Sequence, residues 1–166
     1  GPLDRPAVRA LWWRRFERIA VWFVAVERER RRGLTYVHAE RKGTLRFEQA
    51  ELGTFTLIAK ADRLEIDDNG AVHVIDYKTG TVPSDKAVVS GSAPQLPLEA
   101  AMVREGAFAE VAAAPIAEIA HWKLSGGRPA GLCRTAKARD MSAEDIADAA
   151  LGGLKRLVGA FADPAQ

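Results

Sequence analysis

From about Ala7 to Arg32 the apolar residues Val8, Leu11, Trp12, Phe16, Ile19, Ala20 and Phe23 recur every three or four positions. That is the spacing of one helix face, and it predicts a long first helix. Gly33 ends it, and Arg28, Arg30, Arg31 and Arg32 lie where the carbonyl end of a helix dipole favours positive charge. Between Leu34 and Thr79 the period changes. Thr35–Arg41, Thr44–Phe47, Thr54–Ile66 and Ala71–Thr79 are rich in β-branched and aromatic residues and predict strands. Asp67-Asp68-Asn69-Gly70 separates the last two and predicts a hairpin, because Asn and Gly tolerate positive φ. Gly80 to Gly91 reads as a loop with a helical turn, Pro94–Arg104 as a helix, Glu118–Leu124 as a strand and Leu132–Ala136 as a short edge strand. Ser142 and Asp145 form a capping pair before a closing helix whose stripe is Ile146, Ala150, Leu154, Leu157, Val158 and Phe161. The order α-β-β-β-α-β-α predicts an α/β fold with a mixed β-sheet flanked by helices, one domain over residues 4–166. Gly1-Pro2-Leu3 looks like the remnant of a cleaved purification tag.

Composition narrows the chemistry. With 166 residues, 48% hydrophobic and 28% charged, the chain has the balance of a globular domain. No run approaches the roughly 18 apolar residues of a membrane span, and no start resembles a signal peptide, so the expected compartment is the cytoplasm and no membrane partner is expected. Cys133 is the lone cysteine, which excludes a disulfide framework, a thiolate-only zinc site and a four-cysteine iron–sulfur cluster within this chain. The net charge of +2 conceals an asymmetry: residues 1 to 50 carry 12 Lys and Arg against 6 Asp and Glu, the remainder 12 against 16. A polyanionic partner fits the basic third, as does a solvated helix face.

The informative stretch is Ala59-Lys60-Ala61-Asp62-Arg63-Leu64-Glu65 followed by Val74-Ile75-Asp76-Tyr77-Lys78-Thr79-Gly80. Side chains alternate along a strand, so Val72, Val74, Asp76 and Lys78 share one face and His73, Ile75 and Tyr77 the other. Both faces carry apolar residues, which predicts a strand covered on both sides. An ionised group there costs several kcal/mol (about 3–5 for a stranded charge) unless paired or bound to a metal. If the hairpin loop is Asp68-Asn69-Gly70 with Gly70 left-handed, Asp67 pairs with Ala71 and Asp62 faces Asp76. Opposed Cβ atoms lie about 4.5–5.5 Å apart, close enough for two carboxylates to grip one divalent ion. A two-residue loop would put them on opposite faces. Hard oxygens select Mg²⁺ or Mn²⁺, and a nearby lysine can hold water and stabilise charge on a phosphate. Such a set suits phosphodiester hydrolysis. The bland reading is an Asp–Lys ion pair beside an unrelated Asp-Arg turn.

These residues carry a resemblance. Ala59-x-x-Asp62-Arg63, then Asp76-Tyr77-Lys78-Thr79-Gly80, then Gln95-Leu96-Pro97-Leu98, resembles the RecB-type nuclease domain of the PD-(D/E)XK superfamily, with its restriction-endonuclease-like core. Within it the chain is most similar to the nuclease domain that ends the AddB subunit of AddAB helicase–nucleases. Arg15-Phe16-Glu17-Arg18-Ile19-Ala20 and His121-Trp122-Lys123-Leu124-Ser125-Gly126-Gly127 extend the likeness over nearly the whole chain. The resemblance implies metal-binding aspartates at Asp62 and Asp76, a backbone carbonyl ligand from Tyr77, a catalytic lysine at Lys78 and a positioning glutamine at Gln95. It implies a Mg²⁺-dependent deoxyribonuclease, an exonuclease of double-strand break repair, with DNA as substrate and an AddA-like partner subunit. It also implies an acidic ligand on the first helix. Glu27 is the candidate, since positions 16, 20, 23 and 27 continue one face; a salt-bridged or solvent-facing Glu27 is the alternative. The chain departs from the pattern at Ala59, at Leu64-Glu65 and at Glu99, where the family often has tyrosine, and it lacks the cysteines that hold an iron–sulfur cluster in some relatives.

The remaining candidates rank below these. Arg63 either meets a DNA phosphate or pairs with Glu65, and Arg14, Arg15 and Arg18 are candidate backbone contacts. Trp12, Trp13, Trp22 and Trp122 read as core or interface, and His38, His73 and His121 as packed or surface histidines. No phosphate loop is present, so the chain is not a motor. A nuclease fold without activity, serving DNA binding or subunit docking, is the competing reading.

Overall fold

The computed structural model describes residues 6–50 and 52–162. Helix α1 (Pro6–Arg30) and a short 3-10 turn (Arg31–Gly33) lead into strands β1 (Leu34–Gln49), β2 (Gly53–Asp67) and β3 (Val72–Lys78). Helices α2 (Asp85–Val89) and α3 (Gln95–Arg104) follow, then β4 (Ile116–Leu124), β5 (Gly131–Thr135) and α4 (Ala143–Ala162). The five strands form one mixed sheet in the order β1-β2-β3-β4-β5. All neighbours are antiparallel except β3 and β4, which run parallel because the chain crosses over through α2 and α3 between them. The predicted α/β class with a restriction-endonuclease-like core is what the structure has.

Two layers of helix cover the sheet. On one face α3 and α4 pack with Leu64, Val72, Val74, Leu96, Met102, Ile119 and Ile146 in a shared core. On the other, Trp22, Phe23 and Val26 of α1 close over Ile75, Ala120 and Trp122. Burial on both faces explains the near-continuous apolar run of β3. Ser142 and Asp145 cap α4 reciprocally: Ser142 Oγ accepts the Asp145 N–H at 3.1 Å, and Asp145 Oδ2 accepts the Ser142 N–H at 2.8 Å. Among the described residues no helix is long and apolar enough to cross a membrane.

Three expectations are corrected. The two strands expected at Thr35–Arg41 and Thr44–Phe47 are one strand of 16 residues, because Lys42 and Gly43 continue the ladder with Lys60 and Ala59. Trp12 and Phe16, placed by periodicity on the buried stripe, are 54% and 58% exposed; α1 is turned so that Trp22 and Val26 carry the contact instead. Leu157 and Phe161 likewise leave the stripe of α4, which is carried by Ile146, Ala147, Leu151 and Val158.

Candidate active site

The hairpin between β2 and β3 sets the geometry. Gly70 adopts φ 80°, and Asp67 N–H donates to Ala71 O at 3.0 Å across the three-residue loop Asp68-Asn69-Gly70. Asp67 Oδ1 accepts the N–H groups of Asn69 (2.8 Å) and Ala71 (2.9 Å), so the loop is braced from inside. The ladder then pairs Ile66 with Val72, Leu64 with Val74 and Arg63 with Ile75, where it ends. This is the register that sets Asp62 across from Asp76, one step past the last pair. There the strands diverge, and Asp62 Oδ2 accepts the Tyr77 N–H at 3.0 Å in place of a ladder bond. The β1 side is irregular at the same level. Glu40, between the pairs Ala39–Arg63 and Arg41–Ala61, has φ 56°, and Ala61 and Leu64 both enter the core beneath α3.

Asp76 and Lys78 continue the face of Val72 and Val74 toward α3. The Asp76 side chain is 4% exposed, and Lys78 Nζ lies 2.9 Å from its Oδ2 and 2.9 Å from Oδ1. Only the Oδ1 contact is aligned as a hydrogen bond, which leaves Oδ2 buried without one. Gln95, the first residue of α3, reaches both partners: its Nε2 donates to Asp76 Oδ1 at 3.0 Å and its Oε1 accepts from Lys78 Nζ at 3.4 Å. The same Nε2 donates to Glu99 Oε1 at 3.2 Å. Glu99 is 2% exposed. Burial, reinforced by the Asp76 and Asp62 charges and opposed by the Gln95 hydrogen bond, pushes its carboxyl up to about 7. His121 stands beside Asp76 in the β3–β4 ladder, and its buried ring is held below the usual histidine range by desolvation. In the ladders Lys123 pairs with Lys78 and Arg134 with His121, and Arg134 Nη2 lies 3.3 Å from Asp85 Oδ1.

The structure does not bring Glu27 to this set. Glu27 lies on the α1 face, where Oε1 is 2.5 Å from Arg63 Nη1 and Oε2 accepts from Arg31 Nε at 2.9 Å. Burial raises its carboxyl, but the two guanidinium groups outweigh it and hold the carboxyl below its ordinary value. Arg63 follows the second of its two readings, the pair with Glu65. Its side chain is 6% exposed, bonded to Glu65 Oε1 (2.7 Å) and Tyr77 OH (3.1 Å) and stacked 5.1 Å over the Trp122 ring, so its donors are engaged within the protein. Arg30 completes this layer, its Nη2 donating to Glu65 Oε2 at 2.6 Å and to Glu118 Oε2 at 2.8 Å. Arg14 and Arg18 are exposed on α1 and line an open hollow with Glu17, Val21, Trp22 and Ala130. Arg15 is tied instead to Ser125 O at 2.7 Å. Trp22 and Trp122 are core, as read, whereas Trp13 is 59% exposed.

Two residues at the site were not among the candidate ligands or catalytic groups. Glu99 was visible only as a departure from a family pattern, yet it occupies a position flanked by the buried Leu96, Ala100 and Val103 of α3, and a carboxylate there is itself a signal. His121 carried no ligand spacing to mark it. Among the described residues no three His, Cys, Asp or Glu side chains stand close enough to hold one ion directly. Two carboxylates suffice for Mg²⁺, which keeps several waters, and Asp76 Oδ2 is buried beside the Lys78 ammonium with no aligned hydrogen bond of its own. The residues present fit such a cation.

An α/β sheet with paired acids and a lysine at a strand fork is the setting of a phosphodiesterase site, and sequence comparison narrows the class. The family model described as "PD-(D/E)XK nuclease superfamily" matches residues 3–164. The chain belongs to the PD-(D/E)XK nuclease superfamily. It is 33% identical over 97 residues to an "Uncharacterized protein" of Rickettsia bellii, 58% of this chain and 12% of that protein. A protein of Rickettsia felis is 37% identical over 86 residues (52% of this chain, 10% of its own length), and one of Rickettsia typhi 32% over 100 residues (60% and 12%). The chain thus spans about a tenth of the length of the curated relatives it matches.

Proposed function

We propose that the chain is a metal-dependent DNA nuclease domain that hydrolyses phosphodiester bonds during end processing of double-strand breaks and recombinational repair. In this reading residues 4–166 form one domain of an AddB-type exonuclease, working in the cytoplasm beside an AddA-like motor subunit. The observation that carries it is the meeting of Asp62, Asp76, Lys78 and Gln95 where β2 and β3 part. Asp62, Asp76 and the Tyr77 carbonyl would hold Mg²⁺, with Mn²⁺ able to substitute. The cation, when bound, supplies Lewis acidity and neutralises charge at the scissile phosphate. Lys78 orients the attacking water and stabilises the charge that builds on the phosphoryl oxygens. Gln95, bonded to both Asp76 and Lys78, keeps the two in register. The water oxygen bonds to phosphorus in line as the P–O3′ bond breaks, leaving a 5′-phosphate and a 3′-hydroxyl. Lys123, Arg134, Arg14 and Arg18 would grip the backbone through charge, without reading sequence.

End-labelled linear DNA, incubated with Mg²⁺, tests the reading. The wild-type protein should cut, cutting should stop with chelator, and Asp76→Ala and Lys78→Ala should each lose about 10²-fold or more. A covalently closed circle should survive if ends are required. No cleavage by the wild type in Mg²⁺ or Mn²⁺, or Asp76→Ala cutting at the wild-type rate, would refute it. The engagement of Glu27 by Arg63 and Arg31 favours a second reading, a nuclease fold without activity that binds DNA or docks a subunit. Its signature is DNA binding indifferent to chelator with no cleavage by any variant.

A further inference from the structure

We propose that Glu99 is the third acid of the cation site, a positioning residue on α3 that acts on the bound cation through a water molecule, in the role for which the sequence pointed to Glu27 on α1. The inference deepens the nuclease reading and rests on it.

Several observations carry it. Glu99 sits among Leu96, Ala100, Ala101 and Val103, all buried, so an alanine or leucine would fill its place without stranding a carboxylate. Its Oε1 is bonded to Gln95 Nε2, and that nitrogen also donates to Asp76 Oδ1, so Glu99 is joined to the candidate ligand by one amide group. Its Oε2 is buried with no hydrogen-bond partner, and Asp76 Oδ2, also buried, meets the Lys78 ammonium at 2.9 Å. A hydrated cation held by the Asp76 carboxylate would supply, through a water of its shell, the donor that Glu99 Oε2 lacks. Direct ligation by all three acids is not the geometry, since among the described residues no three such side chains stand close enough to share an ion. Glu27 is on the other face of the sheet with both oxygens engaged by arginines. Gln95 has no second carboxylate but Glu99 to fix its amide, and that orientation is what turns Oε1 toward Lys78.

Calorimetric titration of Mn²⁺ into the 166-residue chain tests the assignment without relying on cleavage. The wild type and Glu27→Gln should bind alike, within about twofold, and Asp76→Asn should not bind. Glu99→Gln should bind about 10–100-fold more weakly, the usual effect of removing a group that supports a ligand through hydrogen bonds. Glu99→Met, which removes the carboxylate but keeps the length, should weaken binding by the same order. Circular dichroism and melting curves on each variant establish that it is folded. Wild-type affinity in both folded Glu99 variants, with Asp76→Asn inactive in binding, would overturn the role of Glu99 and leave the nuclease reading standing. Glu27→Gln losing as much affinity as Asp76→Asn would overturn it too. Absence of Mn²⁺ binding by the wild type would remove the nuclease reading itself, and Glu99 with it.

Discussion

Replacing Arg63 by methionine separates a structural charge from a DNA contact. Arg63 donates from Nε to Glu65 Oε1 at 2.7 Å, meets Glu27 at 2.5 Å and Tyr77 OH at 3.1 Å, and lies 5.1 Å above the Trp122 ring. Glu65 is 0% exposed. Truncating one member of a buried ion pair costs about 3–5 kcal/mol, because the remaining charge is stranded. Here neither partner is left wholly alone, since Arg30 still holds Glu65 at 2.6 Å and Arg31 still holds Glu27 at 2.9 Å. Met also restores the packed volume of the stem. The loss should therefore fall at the lower end, about 3 kcal/mol with the cation–π contact included. For a chain of 166 residues each kcal/mol moves the melting temperature by about 2–4 °C, so the variant should melt roughly 6–12 °C lower. Arg63→Lys should recover only part of this, since an ammonium cannot serve Glu65, Glu27 and Tyr77 in one plane. Urea denaturation measures the stability, and DNA affinity across a salt series measures the alternative. A change in stability below about 1 kcal/mol, together with a salt slope reduced by about one, would show that Arg63 holds a phosphate and would refute the reasoning.

Two further outcomes follow from the geometry. Burial lifts Glu99 from 4.5 to about 7, so the folded state binds its proton more tightly than the unfolded chain. The stability this contributes is complete below about pH 4.5 and lost as pH rises through 7. Glu99→Gln, which cannot ionise, should thus exceed the wild type by about 3 kcal/mol at pH 8 in metal-free buffer, the gap closing toward pH 4; a difference in urea midpoint that ignores pH would count against it. A Cβ at Gly131 would lie 2.6 Å from Trp22 Cζ3, so Gly131→Ala should push α1 off the sheet and cost about 1–3 kcal/mol. Mn²⁺ affinity should be unchanged, because Trp22 packs on the α1 face of the sheet and the acids face α3.

The site was legible to the extent that local rules govern it. Asp67-Asp68-Asn69-Gly70 fixes loop length, loop length fixes register, and register alone sets Asp62 across from Asp76. Lys78 shares Asp76's face by strand alternation, and Gln95 was found through family likeness rather than from periodicity. Orientation between elements was not legible. Glu27 continues an apolar spacing on α1, yet helical periodicity says only which residues share a face, not what that face meets. The face meets Arg63, which alternates with its neighbour Leu64 and so points to the opposite side of the sheet. The same limit misplaced Trp12 and Phe16. Their size made them look like core, but the contact of a helix on a twisted sheet is short, and α1 spends it on Trp22, Phe23 and Val26.

The two faces of β3 handle charge in opposite ways, and that contrast locates the function. Beneath α1, Arg30 and Arg63 answer Glu27, Glu65 and Glu118 with short, mutually supporting contacts, and burial is tolerated because each charge has a partner. Burial would lift Glu118, but bonds from His73, Thr135 and Arg30 outweigh it and hold its carboxyl down at about 2. Beneath α3, Lys78 pairs with Asp76, Glu99 is pushed the other way to about 7, and Glu99 Oε2 is buried with neither an ion pair nor a hydrogen bond. A sequence able to neutralise buried acids a few ångströms away has left these under-compensated. Such a deficit lowers the stability of the fold and persists where a ligand removes it, and a divalent cation with its waters supplies both the charge and the donors this face lacks.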